Sequence, residues 1–524
     1  MFQTCKQLVQ SALVLQLTKI LLLLTSLLSW SLSSAIGSSP DEGYVLTSIW
    51  CEGSAKLSDT AIQILDSDTC QADKERPNRA LVLALVAEPE LCFLQEVTTP
   101  KDQSAICQQK LEGITISTPN FNVDSESSPD LYPNSYFQAM RNFASSNVES
   151  SVKKIRFTNS AVASLLIILS LSTLGSRGKE IGIAIIATIA PTCIYYMSSV
   201  NTSSWTLTGT ICFIVSLLRI LESRRKSKEF FLAGLCLLIS TWLVSSSRFE
   251  GIGTLLFFSL FLVGSFALRG KSPVRNLIVF VFFTSIFASI ANFIYPKVFL
   301  VAFSPFLTYL ESGRLSSETN FSGGVSNIFE LPRFLLGFFG SWGLGWFELE
   351  LPQMVWIFAF QATLIVICFA YGKSSSFQRS GFIILLMFLC GLILTVHWAQ
   401  NSKIGSVIQP RYFLPFFLGI VIIAVANKTE RFPNSLLITV AILSAISNSI
   451  ALRTTIRRYT TGQDVFISKS LNNPIEWWWQ FGPQPETVWL TGTLAFAALW
   501  ALLIYDRNKE ELNAPISPAP ELTN

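Results

Sequence analysis

Histidine is almost missing from this 524-residue chain, which has one, and charged residues make up only 14% of it. A soluble domain carries about 25% charged residues, so the polar side chains needed to wet a soluble globule are lacking. The same shortage excludes a disordered chain and a coiled coil. The formal net charge of +4 is too small to hold a polyanion, so no nucleic-acid partner is expected. One His and no CxxC pair give no metal-site pattern. There is no GxxxxGK(S/T) loop and no basic-side junction long enough for an ATPase domain, which excludes ATP-driven transport by this chain alone. No repeat of fixed period is visible.

What is abundant is apolar: half of the residues, including 41 Phe, with a mean hydropathy of +0.47. A helical span needs about 20 apolar residues. Twelve runs qualify, at 14–36, 158–174, 181–200, 205–221, 230–247, 251–268, 276–296, 352–371, 381–398, 412–426, 434–451 and 487–505. Alternate junctions carry Lys and Arg: Arg177 and Lys179; Arg224, Arg225, Lys226 and Lys228; Arg269, Lys271 and Arg275; Lys373 and Arg379; Lys428 and Arg431; Arg507 and Lys509. By the positive-inside rule these face the cytoplasm. The expectation is a multi-pass protein of the cell membrane with both termini cytoplasmic and the lipid bilayer as its first partner.

The expected organisation is a cytoplasmic N-terminus and first span (1–36), an extracytoplasmic insert (37–157), an eleven-span body (158–505) and a disordered cytoplasmic tail (506–524). Ser33, Ser34 and Ala35 also fit a signal-peptidase site, but the apolar run before them is longer than a usual signal core. From Ile36 to Ser150 there are 17 acids against 7 bases, so an acidic insert sits in a basic body. Its Cys51, Cys70, Cys92 and Cys107 are disulfide candidates in an oxidising compartment, and they can pair in three ways. The apolar stretch 80–87 is too short to cross a membrane and is expected to be a buried element of the insert. Cys193, Cys212 and Cys236 lie in spans and are expected to pack as small apolar residues.

Polar residues at span ends carry the chemical information, and the topology places five such clusters outside. Asp41 and Glu42 follow the first span; a carboxylate pair at the interface gains basicity by partial desolvation. Residues 201–208 offer Asn201 and hydroxyls, which also suit a helix cap. Arg248 and Glu250 close the fifth span and can pair with each other. Trp346, Glu348 and Glu350 precede the eighth, as an aromatic belt would. Gln409, Arg411 and Tyr412 flank Pro410; an Arg there either snorkels to headgroups or binds a phosphate with its planar fork. His397 has no partner His or Cys and is expected to be structural.

The acid pair outside the first span, the GWFE segment before Pro352 and the QPRYFLP stretch starting at Gln409 resemble a family of bacterial multi-pass membrane proteins of unknown function. That family is common in actinobacteria and is grouped by fold with GT-C glycosyltransferases, which use polyprenyl-phosphate sugars. The resemblance covers most of residues 14–505. Many relatives have Gly where this chain has Pro410, and His where it has Val45. The resemblance implies an all-α polytopic fold of about twelve transmembrane helices, GT-C-like, with a large outward insert after the first span. It implies an outward-facing glycosyltransferase that moves a sugar from a polyprenyl-phosphate-linked donor to a cell-envelope glycan acceptor. Asp41 or Glu42 would be the catalytic base. Arg411 and Arg248 would hold the leaving phosphate, with Gln409, Tyr412, Trp346 and Glu348 in the substrate site. A divalent cation would be compatible with this chemistry, although the sequence does not demand one. Two other readings stand beside it: a transporter or flippase for a lipid-linked sugar, and a non-catalytic envelope assembly protein whose acidic insert binds a partner.

Overall fold

The computed structural model describes residues 2–51, 55–58, 61–64, 70–75, 79–93, 104–118, 133, 135–189, 191–222, 227–269, 321–399, 402–405, 408–462 and 470–513. The first helix, α1 (Phe2–Leu32), leads into a coiled strap, residues 33–41, and then α2 (Glu42–Cys51). The insert continues with a two-stranded ribbon, β1 (Ala55–Ser58) and β2 (Ala61–Ile64). A three-stranded antiparallel sheet follows, built from β3 (Cys70–Ala72), β4 (Ala80–Leu83) and β5 (Thr115–Thr118) with β4 in the middle. Val82 stands opposite Cys70 on one side and Ile116 on the other. The run 80–87 is a buried element as expected: β4 passes directly into α3 (Ala84–Ala87), all of whose residues are buried.

Two disulfides staple the insert. Cys51–Cys70 joins the end of α2 to β3, with Cα atoms 5.4 Å apart. Cys92–Cys107 joins two 3₁₀ turns, Pro89–Cys92 and Ala105–Leu111, with Cα atoms 5.6 Å apart. Cys193, Cys212 and Cys236 are buried free thiols.

The helical body begins after α4 (Ser135–Arg141) with α5 (Val148–Ser172). Asn147 caps α5 by accepting the Ser150 N–H at 2.9 Å, and Glu149 lies in its first turn; both suit the positive end of a helix. The chain continues through α6 (Ser176–Ile189), α7 (Thr192–Met197), α8 (Ser203–Glu222), α9 (Lys228–Ser245) and α10 (Phe249–Arg269). Then come α11 (Phe321–Leu336), α12 (Gln353–Gly372), α13 (Ser376–Ala399), α14 (Leu414–Ala426), α15 (Asn434–Thr461) and α16 (Pro485–Asn513). The body packs α1 against α5 and α16, α8 against α9, and α12 against α15.

Among the described residues, nine helices are long and apolar enough to cross a membrane: α1, α5, α8, α9, α10, α12, α13, α15 and α16. The other three of the twelve expected spans are not among these. The run 181–200 is split into α6 and α7 at Pro191, which has no N–H to continue the ladder. The run 412–426 holds only the 13-residue α14, about 20 Å long at 1.5 Å per residue. Residues Leu418 to Ala426 of α14 are all buried, so its uniform apolarity reflects an interior position rather than a lipid-facing one. The run 276–296 lies outside the described residues, as do Arg224, Arg225, Lys226, Lys271 and Arg275. The last helix continues through residues 506–513, where a disordered tail was expected.

Four of the six basic junctions meet at one end of the body. Asp506 binds both Lys19 of α1 and Lys179 of α6, the latter at 2.8 Å. Glu180 binds Lys428 at 2.8 Å and Arg507 at 3.2 Å, and Lys373 binds Glu430 at 2.9 Å. The insert and the strap lie at the opposite helix ends.

Candidate functional site

The site starts from the strap. Buried irregular backbone needs a partner for every carbonyl, and here side chains from the whole body supply them. Arg156 of α5 donates to Ser31 O at 3.1 Å and to Ser34 O and Ala35 O at 2.7 Å. Gln108 of the insert donates to Ile36 O, Trp346 to Gly37 O and Tyr195 to Ser38 O, at 2.6, 3.3 and 2.8 Å. Asn201 donates to Pro40 O at 2.7 Å. So fixed, the strap ends at Asp41 with φ of +63°, a left-handed conformation that non-glycine residues seldom hold.

That backbone turn separates the two acids. Asp41 is partly exposed and forms an ion pair with Arg411. Arg411 is 3% exposed and also donates to Pro40 O and to the Tyr412 hydroxyl, both at 3.1 Å. Its guanidinium lies 5.0 Å from the Tyr412 ring centre and 5.7 Å from that of Tyr196. Arg248, from the α9–α10 junction, lies 4.9 Å from the same Tyr412 ring and donates to Thr202 Oγ1 at 3.2 Å. Its contact with Glu250 is a loose 4.0 Å. Tyr412 is exposed and marks the mouth of this cluster. Asp41, Arg248, Arg411 and Tyr412 are thus brought together, with the Asn201–Thr202 cap beside them.

The turn that carries Arg411, Pro410–Tyr412, opens α14. Pro410 presses on Gly337, where an added Cβ would lie 2.5 Å from the proline Cγ. The missing side chain at 337 is what makes room for Pro410.

Glu42 goes the other way. It is fully buried, 2.9 Å from Arg156 Nη2, and accepts the Ser39 N–H at 2.9 Å. Burial pushes its carboxyl above the usual range against the pull of Arg156. It therefore braces the strap and does not share the opening of Asp41. Glu348 accepts from the Tyr459 hydroxyl at 2.7 Å and is buried. Trp346 touches the strap through its indole N–H, at Gly37. Gln409 precedes the Arg411 turn, its Oε1 buried without a hydrogen-bond partner among the described residues. His397 is buried, with Nδ1 2.8 Å from Ile393 O.

Arg156 and Glu90 were not singled out from the sequence. Arg156 looks there like one more basic residue near a span end. Glu90 packs against the strap from the insert: a Cβ on Gly43 would meet its Oε2 at 2.7 Å, and a Cβ on Gly37 would meet its backbone N at 2.9 Å. Its Oε2 is buried with no hydrogen-bond partner among the described residues. Burial raises its pKa to about 7; its own backbone amide opposes the rise, while Glu42, Glu88 and Asp41 add to it.

Among the described residues, no three His, Cys, Asp or Glu stand together as a metal site. The donor set at Asp41 does not fit a divalent ion either, because guanidinium groups occupy the place of further carboxylates.

These features define a multi-pass helical membrane protein with a disulfide-bonded insert after its first span. The sequence pattern of the family described as predicted membrane protein (DUF2142) matches residues 24–420, and the chain belongs to that family. The matched stretch contains the strap, Arg248 and Arg411. No curated protein and no solved structure matches the chain.

Proposed function

We propose that the protein is a GT-C-like glycosyltransferase that uses a polyprenyl-phosphate sugar, with the insert end facing outward and the basic end and both termini in the cytoplasm. The observation that carries this reading is the meeting of Asp41 with Arg411, 370 positions later, beside Arg248 and Tyr412. A transferase of this class needs a base for the acceptor and cations for the leaving phosphate at one opening. Two guanidinium groups that cannot lose their charge suit the phosphate. In the resting pair Asp41 neutralises Arg411. An arriving phosphate competes for that guanidinium and leaves Asp41 free to take a hydroxyl proton. The acceptor oxygen then bonds to the anomeric carbon as the carbon–oxygen bond to phosphate breaks, with inversion, and the electron pair leaves on the phosphate.

The test is sugar transfer from a polyprenyl-phosphate donor in reconstituted vesicles, with envelope glycan extract as acceptor. Asp41→Asn should abolish transfer while donor binding persists. Arg411→Lys keeps the charge but loses the fork, and should weaken donor binding about tenfold or more. Unchanged turnover in Asp41→Asn overturns the assignment. Loss of binding module function in the insert with no transfer by the wild type would favour envelope assembly instead.

A further inference from the structure

We infer, independently of the transferase reading, that α11 lies in the plane of the membrane surface at the insert end, with one apolar stripe sunk among the lipid chains. The helix has 16 residues, about 24 Å at 1.5 Å per residue, short of the roughly 30 Å hydrocarbon core. It carries three stripes, each at helical spacing. Asn327, Leu331 and Phe334 turn to the body. Ser326, Glu330 and Arg333 form a polar stripe, with Glu330 and Arg333 3.6 Å apart. Val325, Ile328 and Phe329 form an apolar stripe and are 38%, 55% and 80% exposed; exposed Pro332 continues it. A helix apolar on one side and charged on another suits the boundary between lipid and water.

The level of α11 follows from what its body stripe meets. Asn327 donates to Ser402 O at 3.0 Å and accepts the Ile404 N–H at 2.9 Å. Ser402 N–H donates back to His397 O at 2.9 Å, so this stretch stays beside the last turn of α13. Phe334, about 10 Å further along α11, has its ring centre 5.3 Å from that of His397 and 5.6 Å from that of Phe413, which precedes α14. Both contacts therefore rest on helix ends at the insert side. The partner is lipid because α13, on whose end α11 rests, exposes Ile384, Met387 and Phe388 along its length and Trp398 in its last turn. That is the pattern of a lipid-facing span with an interfacial Trp. Pro332 has no N–H to give to Ile328 O; interfacial water can reach the freed carbonyl, whereas the hydrocarbon core holds no donor for it. Phe334 touches Phe413 and Gly337 packs on Pro410, so α11 also sets the level of the Arg411 turn and places Tyr412 at the headgroups.

The experiment uses the full-length protein in vesicles of phosphatidylethanolamine and phosphatidylglycerol. These are doped with a phospholipid that carries a diazirine near the top of one acyl chain, and adducts formed on illumination are mapped by mass spectrometry. They should fall on Val325, Ile328 and Phe329 and be lost at Ser326 and Arg333, while Glu330 reacts with a water-soluble carbodiimide and an amine. A second lipid, with its diazirine on the headgroup, should mark Tyr412. In a further arm, Phe329→benzoylphenylalanine should cross-link to lipid. The first arm needs no substitution, so a folding defect in the variant leaves it decisive. Acyl-chain adducts absent from the stripe or spread evenly around the helix overturn the inference. So does a cross-link from position 329 to another segment of this chain or to a second copy. Adducts on the stripe without headgroup label at Tyr412 overturn the level assigned to the mouth.

Discussion

Arg156 should be the residue whose loss the fold tolerates least. Its side chain is fully buried and donates to the carbonyls of Ser31, Ser34 and Ala35 as well as to Glu42 at 2.9 Å. Arg156→Met leaves the Glu42 carboxylate buried without a cation and strands those carbonyls. Breaking a buried ion pair from one side costs about 3–5 kcal/mol, a factor of a hundred or more in the folded population. Glu42→Gln is milder. The amide oxygen still accepts from Ser39 N–H and Arg156, and the guanidinium keeps its carbonyls, so the loss is about 1–3 kcal/mol. Adding Glu42→Gln to Arg156→Met removes the stranded charge. The double variant should therefore be more stable than Arg156→Met alone, with a coupling of about 1 kcal/mol or more. Thermal unfolding in detergent, followed by size-exclusion of a fluorescently tagged chain, gives the order: wild type, Glu42→Gln, double variant, Arg156→Met. A wild-type midpoint for Arg156→Met, or strictly additive effects, would refute the bracing role. Activity per folded molecule should survive in Glu42→Gln, unlike in Asp41→Asn.

Other expectations can be checked separately. Mass spectrometry of the unreduced protein should find Cys51–Cys70 and Cys92–Cys107 and no crossed pairs; with separations of 19 and 15 residues, each bridge is worth about 3 kcal/mol by loop entropy. Gly337→Ala should destabilise by about 1–3 kcal/mol through its clash with Pro410, and Pro410→Gly in the same chain should relieve it; no rescue would refute the contact. Because the Glu90 pKa rises from 4.5 to about 7 on folding, the folded state binds more protons between those values. Stability should fall as pH rises through that window, by up to about 3 kcal/mol, and Glu90→Gln should remove that slope. A cysteine at Glu250 should react with a membrane-impermeant reagent in intact cells and one at Lys373 should not; the reverse pattern would invert the topology.

The long spans were legible because lipid demands length and apolarity together, and α12 and α13 have both. Pro191 was visible but lay inside an otherwise unbroken apolar run, and a hydropathy count does not register a missing N–H. For α14 the same count registers apolarity whether its cause is lipid or protein. The pairing of Asp41 with Arg411 was half legible: charge placed both at one membrane face, but only folding brings them into contact. The separate fates of Asp41 and Glu42 were not legible. They depend on one left-handed backbone angle and on a helix starting at the next residue. The disulfide pairing was equally hidden, since spacing leaves all three patterns open.

The bond between Lys19 and Asp506 has a consequence for biosynthesis. The two residues are 487 positions apart, and Lys19 is 4% exposed in the finished protein. Helix α1 leaves the ribosome long before its carboxylate partner does. While the intervening residues are made, Lys19 must keep its ammonium group hydrated at the membrane edge or against another acid. Helices α1 and α16 can clasp only after residue 506 has been made. A chain stopped before that residue would retain the unmatched cation, a chemical mark of a body not yet closed.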